Sequence, residues 1–251
     1  MAAGQEERRI EIRGLRGLDE LHEAVRLQKE IWGFADIELL PLRLFVVAQK
    51  VGGQTLGAFD GARMVAFLLA IPGLRQGTMY LHSHMMGVLP DYRNLGVGRR
   101  LKLAQREEAL GRGIRLVEWT FDPLELKNAF FNIRRLGAIV RRYVRNQYGT
   151  TTSPLHGGLP TDRCVAEWHL DSPRVAALLE GRPAGGGPVL GRISIPSDIA
   201  EIRSQNPEKA KSIQAEASDK FEEFFQKGLA VIGFDRTPEA GIYLFGLWDS
   251  K

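Results

Sequence analysis

The residues that could do chemistry lie around two closely spaced glycines at the start of a predicted helix. Residues 79–88 are apolar or aromatic at most positions and predict a β-strand. From Val97 the apolar residues follow the helical period, which predicts an amphipathic helix. Gly96 and Gly98 would let backbone N–H groups approach a ligand closely, and a helix dipole favours negative charge at that end. The sequence Arg93-x-x-Gly96-x-Gly98 therefore predicts a site for a phosphate-bearing molecule.

The absence of two known motifs argues against two classes of phosphate ligand. It contains no G-x-x-x-x-G-K-[ST] motif, which argues against a nucleotide-hydrolysing P-loop. The dinucleotide-binding fingerprint would need a third glycine three residues after Gly98, where Leu101 stands.

The helix that begins at Val97 is expected to bury one face. Its buried stripe is predicted from the i, i+4, i+7 spacing of Val97, Leu101 and Ala104. The basic residues Arg99, Lys102 and Arg106 are expected on another face.

Together the strand, the turn and the glycines resemble the core signature of the GNAT family of acyl-CoA-dependent N-acyltransferases. That signature is a strand, a V-x-P-x-Y-R turn, and R-x-x-G-x-G at the start of a helix. The matching positions are Val88, Pro90, Tyr92, Arg93, Gly96 and Gly98. The resemblance implies an α/β (α+β) GNAT acyl-CoA N-acyltransferase fold with a mixed, mostly antiparallel central sheet. It also implies an enzyme that transfers acetyl from acetyl-CoA to a primary amine by direct attack, without a metal.

The resemblance further implies which residues bind CoA. The implied cofactor-binding residues of the signature are Met86, Gly87, Val88, Arg93, Asn94, Leu95, Gly96, Val97, Gly98 and Arg99. A backbone N–H near residues 86–88 is implied as the donor to the oxyanion. Asn128 and Asn132, on a later helix, are candidates for a pantetheine or substrate contact, and a solvated face is the alternative.

The reaction needs a base, because a primary amine is mostly protonated at neutral pH. Residues two apart in a strand share a face, so His82, His84, Met86 and Val88 are expected to point the same way. A neutral histidine has a pKa near the working pH, which makes His84 the first candidate and His82 another. Glu118, on the neighbouring predicted strand, is the rival.

The acid that reprotonates the CoA thiolate is left open. Asp122 is predicted as the N-cap of a helix that ends at Gly137. GNAT proteins often carry a tyrosine four residues before that glycine, but Ile133 stands there. Tyr143 and Tyr148 are conceivable replacements. Asn128, Asn132 and Arg135 are spaced to share one face of this helix.

Composition sets the outer bounds of function. The 251 residues are 44% hydrophobic and 25% charged, which is typical of a soluble globular protein. The longest apolar run, residues 64–71, is far below the roughly 20 residues that span a bilayer. We expect no membrane association and no leader. Cys164 is the only cysteine, which favours the cytoplasm and excludes intramolecular disulfides. The net charge is only +4, so nucleic-acid binding is not expected, and the arginine pairs 134–135 and 141–142 are interpreted as solvated.

The order of predicted elements divides the chain in two. Strands and helices from Arg8 to Leu170 follow the GNAT order, so residues 1–171 are predicted to be the acyltransferase domain. Residues 182–188 read as a linker. Residues 172–251 are predicted to be a βαββ extension that packs on the core or on a second subunit, because so small a unit buries little surface. A homodimer is therefore possible.

Two other classes of function stay open at this point. One is a regulatory module that binds CoA without turnover, which the missing tyrosine favours. The other is a nucleic-acid-binding protein built on an acyltransferase fold. If the chain is an enzyme, the acceptor is a small-molecule or peptide amine, and the sequence does not identify it.

Overall fold

A computed structural model describes residues 9–149, 158–185 and 187–249. Residue contacts divide the chain into two compact units, Met1–Arg115 and Leu116–Lys251. Helices and strands alternate in both, so the predicted α/β class is confirmed. Arg8, the predicted start of the first strand, and Gly186 of the predicted linker lie outside the described residues. The predicted boundary at residue 171 stays a prediction.

The first unit is a sheet covered on both faces by helices. Its elements are β1 (Ile10–Gly14), α1 (Gly17–Trp32), α2 (Leu42–Lys50), β2 (Gln54–Asp60), β3 (Arg63–Arg75), β4 (Thr78–Val88) and α3 (Val97–Gly111). The strands are antiparallel in the order β1-β2-β3-β4. Phe67 of β3 packs its ring against Trp32 of α1 and Phe45 of α2, at centroid distances of 5.8 and 6.1 Å. Helix α3 packs on the opposite face.

The second unit contains six strands. Its elements are β5 (Leu116–Phe121), α4 (Leu126–Ala129), a π-helical segment (Phe130–Arg135), β6 (Ile139–Val144), β7 (Arg163–His169), α5 (Pro173–Leu179), β8 (Gly191–Pro196), α6 (Ile199–Gln205), α7 (Pro207–Gln226), β9 (Ala230–Arg236) and β10 (Ala240–Gly246). The strand order is β5-β7-β6-β9-β10-β8. The strand pairs β5-β7, β6-β7, β6-β9, β9-β10 and β8-β10 are antiparallel, which agrees with a mostly antiparallel sheet.

The helix expected at Asp122 begins later than the sequence predicts. The carboxylate of Asp122 accepts the N–H of Leu124 at 2.8 Å, which closes a local turn and does not cap a helix. Arg203 of α6 also pairs with Asp122 at 3.1 Å. Helix α4 therefore starts only at Leu126, and within one turn it widens into the π-helical segment.

Two short helices in the C-terminal part were not predicted. Helices α5 and α6 have seven residues each, too few to show a helical period clearly. Proline at the start of α5 and the hydrogen bond from Val175 N–H to the Ser172 hydroxyl form its N-terminus. After α5, the observed order in this part is β-α-α-β-β.

Candidate active site

The glycine turn presents backbone amides at the start of α3. Asn94 and Gly96 both have left-handed backbones, with φ of +62° and +77°. The first helical hydrogen bond runs from Arg100 N–H to the Gly96 carbonyl at 3.0 Å. The amides of Val97 and Gly98 therefore have no acceptor within the described helix. Exposed amides and alternating backbone handedness form a concavity suited to an anion.

Gly98 lies against the end of β4. A Cβ built on Gly98 would lie 3.6 Å from Met86 Cε and 3.8 Å from Val88 Cγ2, which are ordinary contacts. The structure therefore brings together three of the predicted cofactor-binding residues. It also shows that the fold itself tolerates a side chain at Gly98, so the protein's own packing does not require the glycine.

Arg93 stabilises the turn by hydrogen bonds to two backbone carbonyls. Its Nε donates to the Val88 carbonyl and its Nη2 to the Ile31 carbonyl, both at 3.2 Å. Tyr92, the other polar residue of the signature turn, donates its hydroxyl to Asp60 at 2.7 Å. These three hydrogen bonds connect the turn to the end of β4, to the end of α1 and to β2. Arg93 thus has a structural role whether or not it contacts a ligand.

Strand β4 contains a bulge at His84. Ser83 pairs with Ala70 of β3, and Met85 pairs with the next residue, Leu69. His84 has no partner among the described pairs of these two strands. One extra residue in one strand reverses the alternation of faces beyond it.

The predicted common face of His82, His84, Met86 and Val88 is therefore wrong. His82 shares its face with Gly87, on the side that α1 covers. Met86 and Val88 lie on the face of α3 instead. The strict two-residue period fails here because the bulge inserts a residue, which the sequence does not signal. The change of face does not decide whether His82 or His84 acts as the base, and both roles stay predictions.

His84 is the more accessible of the two histidines. Its side chain is exposed, while His82 is half-buried, and their ring centroids lie 5.9 Å apart. Although part of His84 faces solvent, neighbouring atoms desolvate the ring, and this lowers the pKa of His84 below its usual value. The imidazole is therefore neutral at pH 7 and can accept a proton.

A buried lysine lies next to the bulge, although it was predicted on a face of α3 other than the buried one. Lys102 is only 3% exposed, and its Nζ donates to Ser83 Oγ at 2.9 Å and to Gln105 Oε1 at 3.0 Å. Gln105 in turn donates to Gln54 Oε1 at 3.1 Å. Burial lowers the pKa of Lys102 to about 7. This polar network joins α3 to β4 and β2.

The predicted faces of α3 are partly wrong, because polar side chains occupy part of its buried face. Val97 and Leu101 are buried as expected, but Ala104 is half-exposed, whereas Lys102 and Gln105 are buried. The helical period from Val97 does point to position 105. The apolar pattern does not reveal this face, because a glutamine and a lysine occupy its buried positions.

Gly87 has a packing reason to be glycine. A Cβ at this position would lie 2.7 Å from Trp32 Cη2 and 2.8 Å from Ile31 Cδ1. Contacts that short do not occur, so the end of α1 could not lie so close to β4 if residue 87 had a side chain. The predicted CoA contact of Gly87 stays a prediction beside this structural role.

In the second unit, Glu118 lies in a network of buried carboxylates and arginines. Glu118 is 2% exposed and accepts a hydrogen bond from Arg142 Nη2 at 2.7 Å. Glu167, its cross-strand neighbour, binds Arg141 and Arg142. Burial raises the pKa of Glu167, but hydrogen bonds from His169 and Arg141 and the charges of both arginines outweigh it and lower that pKa to about 2. Glu118 is therefore buried, and an arginine occupies its carboxylate.

The expected shared face of Asn128, Asn132 and Arg135 is wrong. Asn128 and Arg135 are exposed, but Asn132 is only 4% exposed. The cause is the π-helical segment, in which Leu136 N–H donates to the Phe131 carbonyl five residues earlier, at 3.0 Å. The wider turn changes the angle between residues, so i, i+4 positions no longer align.

The candidates for the acid have different surroundings. Ile133 is fully buried. Tyr143 donates its hydroxyl to Asp162 at 2.9 Å and lies 2.8 Å from Ser218 Oγ, and burial raises its pKa, so it would release a proton reluctantly. The hydroxyl of Tyr148 lies 3.3 Å from Thr120 Oγ1, and its side chain is exposed. Of the two tyrosines, Tyr148 is the more accessible, since Tyr143 is half-buried.

Comparison with family models now identifies the class of protein. Residues 18–137 match the model described as the acetyltransferase (GNAT) family. These residues therefore resemble the GNAT acetyltransferase family, as the signature residues indicated. The comparison with curated proteins gave no match.

Solved structures confirm the GNAT fold. The ribosomal-protein-S18-alanine N-acetyltransferase from Escherichia coli is 20% identical with a TM-score of 0.50, over 65% of this chain and 95% of that one. Arabidopsis thaliana NAA60 in complex with acetyl-CoA is 14% identical with a TM-score of 0.52, over 64% and 99%. A GNAT-family acetyltransferase from Streptococcus pneumoniae is 16% identical with a TM-score of 0.50, over 63% and 98%. At these identities the likeness concerns the fold alone.

Among the described residues, no helix is long and apolar enough to cross a membrane. Nor do these residues bring together three or more histidine, cysteine, aspartate or glutamate side chains that could hold a metal ion.

Proposed function

We propose that this protein transfers an acyl group, most simply acetyl, from acyl-CoA to a primary amine by direct attack. The observation that carries the proposal is the turn before α3, where left-handed Asn94 and Gly96 leave helix-entrance amides without helical acceptors. Such a turn suits the pyrophosphate of CoA. The acceptor would be a small-molecule or peptide amine, and the cytoplasm the place of action.

The residues proposed to hold CoA form a continuous surface of the first unit. The pyrophosphate would lie on the backbone of residues 94–99, and the pantetheine would follow β4 along residues 86–88. Gly98 supports this arrangement, since no side chain there fills the space beside Met86 and Val88. Arg93 would act mainly by fixing the turn, and Asn128 and Asn132 remain candidates in the second unit.

His84 is proposed as the base. The amine nitrogen would attack the thioester carbonyl carbon, so that an N–C bond forms and the C–S bond breaks. The amine's proton would pass to the neutral imidazole of His84, directly or through water, while the sulfur leaves with the bonding electron pair and is protonated. His82 and Glu118 are the other candidates, and the arginine bound to Glu118 makes it the weaker one.

Binding of CoA can be tested by substitution in the turn. Gly98→Asp would place a carboxylate among the proposed phosphate-binding amides, and the ordinary contacts of a Cβ at this position let the variant fold. Acetyl-CoA should stabilise the natural protein by about 2.7 kcal/mol at a hundredfold excess over its Kd, and the variant not at all. Gly111→Asp, at the far end of the same helix, carries the same charge and should respond like the natural protein. An unchanged melting temperature of the natural protein at saturating acetyl-CoA would contradict the proposal.

Binding without turnover is the second candidate function. The buried Ile133 at the usual tyrosine position and the hydrogen-bonded Tyr143 favour it, because neither could supply a proton readily. Measuring free CoA released from acetyl-CoA in the presence of a library of amines separates the two functions. A thermal shift by acetyl-CoA without release of CoA for any amine would favour the regulatory module. The absence of both the thermal shift and CoA release would favour the nucleic-acid-binding alternative.

A further inference from the structure

A small cavity in the second unit has two arginines in its wall. Its volume is about 150 Å³, and it lies between the π-helical segment, α5, β9 and β10. Arg134 comes from the π-helical segment and Arg174 from the first turn of α5. None of the described residues that line the cavity is acidic.

Arg174 is buried with most of its donors unused. Its residue is 8% exposed, and its Nε donates to the Gly137 carbonyl at 3.0 Å. A guanidinium has five N–H donors, and the other four have no acceptor in the part of the chain that the structure describes. Neither terminal nitrogen is among the fully buried polar atoms that have no partner, so both are open to water or to a ligand in the cavity.

The electrostatic surroundings of Arg174 also lack an anion. Burial, together with the nearby charge of Arg134, lowers the pKa of Arg174 to about 10. Arg134 is exposed and makes no ion pair with any described residue. Two neighbouring guanidiniums without a carboxylate repel each other, and a bound anion would replace that repulsion with attraction.

The rest of the cavity wall is mainly apolar. The apolar side chains that line it are Ile133, Leu178, Ala184, Val189, Ile232 and Leu244. An inorganic ion would satisfy the arginines but leave these side chains without a contact. An apolar molecule alone would leave the arginines unpaired. The wall therefore matches a ligand with one anionic end and one apolar end.

We propose that this cavity binds a small carboxylate with a short hydrocarbon chain. The carboxylate oxygens pair with the guanidiniums of Arg134 and Arg174, whose planar donors suit a two-oxygen acceptor. The hydrocarbon chain contacts Ile133, Ile232 and Leu244. Apart from Ile133, which stands at the usual tyrosine position, none of these residues appears in the proposed acyl-transfer site, and the inference does not rest on the proposed function.

The test is a titration of the full-length protein with hexanoate, followed by calorimetry or by NMR. We expect saturable binding, and we expect Arg134→Gln to weaken it about 10-fold or more, because one of the two cations is lost. Arg134 is exposed and unpaired, so this variant should fold. Arg135→Gln removes the same charge from the adjacent, exposed position outside the cavity and should bind hexanoate like the natural protein.

Three other probes separate the contributions of charge and hydrocarbon. 1-Hexanol and hexylamine keep the chain without the anion, and inorganic phosphate keeps an anion without the chain; we expect all three to bind more weakly than hexanoate. Equal binding of hexanol would show an apolar cavity only, and equal binding of phosphate would show a general anion site. Either result would overturn the proposal, as would equal losses in Arg134→Gln and Arg135→Gln or no hexanoate binding at about 10 mM.

Discussion

Lys102 shows how a single polar residue can link the parts of a site. Its ammonium joins the hydroxyl of Ser83, directly before the bulge, to Gln105 on the helix whose first turn carries the proposed phosphate amides. The same side chain is fully buried, so its protonation state depends on the fold. A group of this kind makes stability depend on pH.

Stability is expected to rise with pH between 7 and 9. The pKa of Lys102 is about 7 in the folded protein and 10.5 as its ordinary value, so between these values the unfolded chain binds more protons than the folded one. The free energy of unfolding should then increase with pH, by up to about 1.4 kcal/mol per pH unit. Denaturant unfolding at several pH values measures this slope. Lys102→Met should remove it, and Lys50→Met, at an exposed lysine, should not; an equal slope in Lys102→Met would contradict the assignment.

At the same scale, His84 is expected to control the rate. His84→Ala should lower turnover by about 100-fold, with acetyl-CoA affinity nearly unchanged, because the base is lost and the binding turn is not. Since the pKa of His84 is lowered, the natural protein should keep its activity down to a pH below the ordinary histidine value of 6.5, and the variant should lose that acidic limb. Steady-state rates against pH provide the measurement. Full activity in His84→Ala together with loss in Glu118→Gln would transfer the role to Glu118.

At the scale of elements, the bulge in β4 changes which residues face each helix. Before it, Ser83 lies on the face of α3 and His82 on the face of α1. After it, Met86 and Val88 lie on the face of α3, and Gly87 lets the end of α1 approach the strand closely. The proposed catalytic histidine is thus placed at the irregularity that exchanges the two faces.

The close approach of α1 predicts opposite effects for two glycine substitutions. Gly87→Ala should destabilise the protein by about 1–3 kcal/mol, because its methyl group would overlap Trp32 and Ile31. Gly98→Ala adds the same methyl group where contacts are ordinary, so it should leave the ligand-free protein as stable or slightly more stable. Chemical denaturation of both variants without acetyl-CoA decides the matter. Equal effects of the two would show that α1 adjusts freely to Gly87.

At the scale of the whole molecule, the C-terminal part shares its core with earlier strands of the second unit. Strand β9 pairs with β6 at Val231 and Val140. Phe221 of α7 is fully buried and stacks on Tyr143 of β6 at a centroid distance of 5.1 Å. Strand β6 therefore has a partner on either side, one before and one after the predicted boundary.

Truncation after Asp171 is accordingly expected to disrupt the second unit. It removes Phe221 from the ring of Tyr143 and leaves one edge of β6 unpaired, which promotes aggregation. We expect an insoluble fragment or one without cooperative unfolding. The milder change Phe221→Ala in the full chain should destabilise it by about 3–5 kcal/mol. A soluble, monomeric fragment of natural stability would show that residues 172–251 form an independent appendage.

Local sequence determined the parts of this protein that depend on neighbouring residues. The apolar run of β4, the helical period of α3, the glycines between them and the spacing of the signature were enough to predict the α/β fold and the resemblance to the family, while phosphate binding at the turn stays a prediction. These features are readable because each is encoded within a few residues. The left-handed backbone at Gly96, for example, favours glycine whatever surrounds it.

Tertiary structure alone decided the features that depend on residues far apart in the chain. The bulge at His84 exists only in the pairing with β3, and the π-helical turn that buries Asn132 leaves no local pattern. Lys102 is buried because Ser83, Gln105 and Gln54 meet it from three elements, although its own type predicts exposure. The cavity beside Arg174 likewise arises where α5, β9 and β10 come together. The local pattern could not reveal these features, because the free energy of a buried polar group depends on its partners, and only the fold brings the partners together.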